Sequence, residues 1–185
     1  MGKVILNINT TLDGFIDHTE MIADDEWLQF ATEILNSVDV MLFGRVTYQL
    51  LGDYWPTATQ DPALPREWIE FANRINSMPK MVCSHTLQSV NWNNTTLIGG
   101  DAVEEVIKLR RESDQRILLA GSVLANTLME LDLVDEYQLR INPFLLGHGT
   151  PLFRAEHPKI PLKLVETKTL RSGIVSVHYI REKTT

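Results

Sequence analysis

The chain has 185 residues, 44% of them apolar and 22% charged, which suits one globular domain with a sizeable core and excludes a disordered polymer. Seventeen basic against 24 acidic side chains leave a net charge of −7 and a pI near 5.2, so the charge balance offers no case for nucleic acid or an anionic membrane as partner. No apolar run approaches the ~18 residues of a membrane span and no leader-like stretch opens the chain, so the expectation is a cytoplasmic protein.

Apolar spacing and turn residues divide the chain into alternating elements, the pattern of helices packed on a sheet. Val4 to Ile8 reads as a strand that ends in the turn Thr10-Thr11-Leu12-Asp13-Gly14. Asp24-Asp25-Glu26 opens a helix, because carboxylates favour a helix N-terminus, and Trp27, Phe30, Ala31, Ile34 and Leu35 then recur on one face. Val38 to Phe43 is a buried strand stopped by Gly44, and a helix follows from Arg45 to Leu51. Pro56, Pro62 and Pro65 mark Gly52 to Pro65 as a loop. Arg66 to Asn76 has helical spacing, Lys80 to Ser84 reads as a short strand, and Thr95 to Ile98 as another.

Asp101 is placed to cap a helix through Val103, Val106, Ile107 and Leu109. Ile117 to Ala120 forms a buried strand ending at Gly121-Ser122, with a helix from Val123 to Leu131. Tyr137 to Leu146, Leu162 to Leu170 and Gly173 to Arg181 are rich in branched residues and read as strands, the last two joined by a turn at Arg171-Ser172-Gly173. They would close one edge of a mixed sheet. With no repeat and no linker-like shift in composition, residues 1–185 count as one domain.

Cys83 is the only cysteine, which excludes an intrachain disulfide and a multi-cysteine zinc site, and the five histidines lack the spacing of a metal motif. No bound metal is expected. Chemistry is more legible at two strand-to-helix junctions, Phe43-Gly44-Arg45-Val46-Thr47 and Ala120-Gly121-Ser122-Val123-Leu124. Glycine lets a phosphate approach the backbone, and the free amides of the helix start point at it. Arg45 adds a fixed charge and Thr47 a hydroxyl. Each junction taken alone reads first as a tight turn, and neither GxGxxG nor GxxxxGK[ST] is present.

Taken in order, Leu12-Asp13-Gly14-Phe15-Ile16, Gly44-Arg45-Val46-Thr47-Tyr48, Pro79 to Leu87 and Gly121-Ser122-Val123-Leu124 resemble the successive signatures of the dihydrofolate reductase-like superfamily. Leu133-Val134-Asp135-Glu136 and Pro143 to Phe153 are similar to late motifs of its branch containing the reductase domain of riboflavin biosynthesis. The resemblance spans nearly the whole chain. It implies an α/β, three-layer αβα fold with a central mixed, mostly parallel sheet and a C-terminal antiparallel hairpin.

The same resemblance implies NADPH as cofactor, with Gly44, Arg45 and Thr47 at its phosphates, Ser84, His85 and Thr86 at its adenosine end, and Gly121, Ser122, Val123 and Leu124 beneath the pyrophosphate. On the substrate side it points to Asp13 as the catalytic group and to Gly147 in the turn Gly147-His148-Gly149, and Trp55 is a candidate stacking platform. Asp13 is equally an ordinary Asp-Gly turn residue, and His85 equally an exposed loop histidine. Folate-reducing relatives hold the pterin with a carboxylate on the first long helix; Asp24, Asp25 and Glu26 lie slightly early for that role, and capping accounts for them.

The function that follows is an NADPH-dependent reductase passing hydride to a small heterocycle, either pterin-like or like a pyrimidine riboflavin precursor. The alternative is a nucleotide-binding or regulatory homodimer without turnover. Relatives pair through late strands, and Tyr137 to Leu146 offers apolar area for a homodimer.

Overall fold

The computed structural model describes residues 1–182. In chain order it contains β1 (Lys3–Thr11), β2 (Phe15–Ile16), α1 (Asp25–Asn36), β3 (Val40–Gly44), α2 (Arg45–Gly52), α3 (Trp55–Ala58), α4 (Arg66–Ser77), β4 (Lys80–Cys83), β5 (Thr95–Ile98), α5 (Ala102–Glu112), β6 (Arg116–Ala120), α6 (Ser122–Glu130), β7 (Glu136–Asn142), β8 (Thr150–Pro151), β9 (Leu162–Thr169) and β10 (Val175–Arg181). The expected domain of residues 1–185 ends on three residues outside the described ones.

Eight strands form one sheet in the order β5-β4-β3-β6-β1-β7-β10-β9. From β5 to β7 every neighbour is parallel, while β10 runs antiparallel to β7, and β9 to β10. This is the mixed, mostly parallel sheet with a C-terminal antiparallel hairpin that the sequence leads one to expect. Both faces are covered, which is why β3 and β6 read as unbroken apolar runs rather than alternating ones. Ile5, Met41, Phe43, Val82 and Leu118 pack on one face against α1 and α4, and Val4, Leu6, Leu42, Ile117 and Leu119 pack on the other against α5 and α6. The result is three layers.

Two helix starts are closed by side chains: Asp24 accepts from the Trp27 amide at 2.7 Å, and Asp101 from the Val103 amide at 2.8 Å. The C-terminal end of α4 is closed from within. Lys80, 1% exposed, donates to the carbonyls of Ile75, Asn76 and Met78 at 2.8, 3.2 and 2.7 Å and lies 4.7 Å from the centroid of the Trp92 ring. Burial pulls its pKa down to about 8.

The structure corrects several expectations. Strand β1 continues past Ile8 to Thr11, because Asn7 through Thr11 remain in register with Gln138 through Asn142 of β7. Strand β7 stops at Asn142 rather than Leu146, since Pro143 has no N–H for the ladder. Both edges of β7 are taken within the sheet, by β1 and β10. The stretch expected as loop holds α3, with Pro56 in the first turn, where a missing N–H costs nothing. Strands β2 and β8, two residues each, pair with one another through Phe15–Pro151 and Ile16–Thr150, and are too short for any periodicity to announce them.

Candidate functional site

The C-terminal ends of β3, β4 and β6 open onto a cleft of about 1290 Å³. A site for a single small molecule usually occupies ~300–1,000 Å³, so this one has room for two ligands side by side. Its lining changes character along its length. One end is made of the turns at Gly44–Thr47, Ser84–His85 and Gly121–Leu124, with the start of α5; the other is made of β1, β7, α1 and the loop after β2.

At the first end the starts of α2 and α6 meet. Neither carries a side-chain cap, in contrast to α1 and α5, so their first amides lack the usual partner. A β-carbon built on Gly44 would meet nothing within 4 Å, whereas one on Gly121, whose φ is +99°, would fall 2.7 Å from the Thr47 hydroxyl. Arg45, in the first turn of α2, lines the cleft with its guanidinium 3.0 Å from Gln49 Oε1. Ser84 Oγ accepts from the amides of Thr86 and Leu87, both at 3.1 Å, which rounds the turn after β4, and His85 Nδ1 lies 3.0 Å from the Gly99 carbonyl. Gly44, Arg45, Thr47, Ser84, His85 and Gly121 through Leu124 are thus brought together around one space. Thr86 is not part of that wall; its hydroxyl faces Ser84 Oγ at 3.3 Å.

The residues expected on the substrate side are elsewhere. Asp13 accepts from the Thr11 hydroxyl and from the amides of Leu146 at 3.1 Å and Gly147 at 2.8 Å, and it does not line the cleft. It clamps a loop, and Gly147, with φ +78°, is the clamped partner rather than a cleft residue. The Thr11 hydroxyl and the Gly147 and Leu146 amides hold the Asp13 pKa below the ordinary aspartate value. Trp55 is in the core, its ring 4.5 Å centroid to centroid and edge-on from Phe71, so no face is left for a ligand. The acidic start of α1 is also fully engaged. Asp24 caps, Asp25 accepts from Trp68 Nε1 at 3.2 Å, and Glu26 accepts from the Arg171 amide at 2.8 Å.

What does line the second end is a polar stripe. Asn7 and Asn9 of β1 stand opposite Gln138 and Arg140 of β7 on the sheet face that α1 covers. Arg140, 6% exposed, donates from Nε to Asn9 Oδ1 at 2.7 Å and from Nη2 to Asn7 Oδ1 at 2.6 Å. Asn9 Oδ1 also accepts from Trp27 Nε1 at 3.2 Å, and the Trp27 ring lies 5.7 Å from the guanidinium carbon. Burial lowers the Arg140 pKa to about 10. In the loop after β2, Asp17 and His18 line the same end; Asp17 accepts from the Thr19 amide at 3.0 Å. Cys83, at the other end, has its thiol pKa pushed up to about 11 by burial and then by Glu105, so it is no nucleophile near neutral pH.

Residues 2–176 match the sequence model of the RibD C-terminal domain family. The chain belongs to that family. It is 36% identical over 182 residues to the uncharacterized protein YyaP of Bacillus subtilis (strain 168), covering 96% of this chain and 94% of that one. Among solved structures, a candidate riboflavin biosynthesis protein from Shewanella sp. PV-4 superposes with a TM-score of 0.70 at 22% identity, covering 99% of this chain and all of that one. Dihydrofolate reductase from Enterococcus faecalis, complexed with NADP(H) and RAB-propyl, superposes with a TM-score of 0.65 at 14% identity over 98% of both chains. At these identities the two structural likenesses concern fold. This RibD C-terminal domain therefore has the dihydrofolate reductase-like fold, of reductase type.

Proposed function

We propose that the chain is an NADPH-dependent reductase that delivers hydride to a small heterocycle held at the Asn9–Arg140 end of the cleft. The observation that carries this reading is the meeting of two uncapped helix starts, α2 and α6, across a space that Gly44 leaves open and Arg45 flanks. Free helix-start amides and a guanidinium are donors suited to a pyrophosphate or a ribose phosphate, and a residue with a β-carbon at Gly121 could not approach Thr47 so closely. When bound, NADPH supplies the hydride.

The chain's own residues then have simple tasks. Arg45 pairs with phosphate, and Ser84 and His85 border the adenosine end. Phe71, Ile75 and Trp27 keep water away from the acceptor, which strengthens every polar contact there. His18 is the cleft-lining imidazole at the substrate end and is assigned the proton delivery that must accompany hydride transfer. Because Asp24, Asp25 and Glu26 are all engaged elsewhere, the start of the first long helix offers a pterin no free carboxylate of the folate-binding kind. The pyrimidine type of substrate is therefore the better supported.

The test is a fluorescence titration of the protein's four tryptophans with NADPH and with NADH, repeated on Arg45→Ala. Tighter binding of NADPH, with that preference lost in the variant, is expected, followed by substrate-dependent loss of nicotinamide absorbance with pyrimidine acceptors. Binding of neither nucleotide sinks the reading. NADPH binding without oxidation by any acceptor would mark a nucleotide-binding module instead.

A further inference from the structure

Arg140 is a buried cation without a counter-ion. Its two protein partners are neutral amide oxygens, and among the described residues no carboxylate pairs with it. Glu136, four residues back along β7 on the same face, is already shared by Lys3 at 3.1 Å, Arg116 at 3.2 Å and His178 at 3.0 Å. Of the carboxylates that line the cleft, Asp101 caps α5 and Asp17 is held by Thr19. A guanidinium kept this dry is costly unless its charge is answered, and burial does pull its pKa downward.

The hydrogen-bond pattern also leaves donors to spare. Arg140 uses Nε and Nη2, while Nη1 donates to no acceptor among the described residues. Asn9 is oriented by two donors on its Oδ1, Trp27 Nε1 and Arg140 Nε, and its Nδ2 donates to nothing among the described residues. Both side chains line the cleft, beside the Trp27 ring. A floor made of spare N–H groups and one positive charge asks for oxygen acceptors that carry negative charge.

We propose that the substrate's buried end bears an anionic oxygen, a carboxylate or an ionised ring oxo group on a flat ring, docked on Arg140 Nη1 and Asn9 Nδ2 with Trp27 alongside. Arg140 is thereby a specificity-determining residue, and the site rejects rings that present amino donors or positive charge to the floor. The substrate role rests on the reductase reading, but the binding of the anion does not require NADPH.

The experiment is calorimetric titration, with and without NADPH, of the wild type, Arg140→Met, Arg140→Lys and Asn9→Ala. Three probes are used: orotate, whose charge is a carboxylate; barbiturate, whose charge lies on ring oxygens; and 2,4-diaminopyrimidine, which offers donors. At least one acid is expected to bind the wild type and the diamine not to. Arg140→Met should lose roughly tenfold or more in affinity for that acid, with Arg140→Lys between the two and NADPH affinity unchanged. A merely structural arginine would not alter the choice between acid and diamine. If Arg140→Met fails to fold, Arg140→Lys and Asn9→Ala must still show the loss. The proposal is overturned if neither acid binds, if the diamine binds better than both acids, or if the variants bind the acid as the wild type does. Arg140-dependent acid binding in a protein that never takes NADPH would sink the reductase reading and leave the anion site standing.

Discussion

Gly121 and Thr47 are in contact across the cleft, so close that a β-carbon on the glycine would lie 2.7 Å from the threonine hydroxyl. Gly121→Ala meets both this clash and a φ of +99°, and is expected to cost about 2 kcal/mol or more in urea unfolding and to weaken NADPH binding. Adding Thr47→Ala should recover the clash but not the backbone strain. Full recovery in the double variant would contradict the role given to the backbone.

His18 is the second point of test. If it passes the proton, His18→Ala should lower kcat by about 10²-fold while the KM for NADPH stays within about twofold. A drop in NADPH affinity with kcat intact would instead make His18 a residue of the binding wall.

Lys80 links stability to pH. Its pKa in the folded protein, about 8, is below the ordinary lysine value of about 10.5, so the unfolded chain holds this proton more tightly. The penalty on the charged side chain is complete below about 8 and fades as the pH climbs toward the ordinary lysine value. The stability of the wild type relative to Lys80→Met should therefore grow between pH 8 and 10, as read from urea unfolding at each pH. A difference that stays flat over that window would refute the assignment.

Asp13 should behave as a clamp. With its pKa held below the ordinary aspartate value, the carboxylate is charged throughout the neutral range, and its hold on the Leu146 and Gly147 amides is lost only as the pH falls through that lowered pKa. Asp13→Ala is expected to speed proteolytic cutting between residues 143 and 149 while leaving NADPH affinity unchanged. Loss of turnover with the loop as resistant as before would restore a chemical role to Asp13.

The contrast between the two ends of the cleft explains what could be read from the amino acids alone. The turns at Gly44 and Gly121 follow apolar strands and carry their signal locally, in a glycine, a hydroxyl and an arginine within a few positions. The floor carries its signal across 131 residues, from Asn9 to Arg140, and no local pattern joins them. One clue was available: Asn7 and Asn9, and again Gln138 and Arg140, interrupt branched strands at a spacing of two, which puts each pair on one sheet face. Asp13 and Gly147 were expected at the site because the resemblance put their loops there, and Trp55 because of its type and its loop. Type does not reveal that an aspartate has spent its oxygens on a neighbouring loop, or that a tryptophan has met Phe71.

Strand β1 is the first made and among the last to be satisfied. Its partners are β6 and β7, and Lys3 pairs with Arg116 while Thr11 pairs with Asn142. A growing chain on the ribosome thus holds its opening strand unpaired until more than half of the domain has emerged, and closing so long a loop makes that step slow. Asn7 and Asn9 wait with it. The floor of the cleft, which needs Arg140, comes into being only when the sheet's centre closes, so a nascent or truncated chain ending before β7 has helix starts for phosphate but nowhere to seat a second ligand.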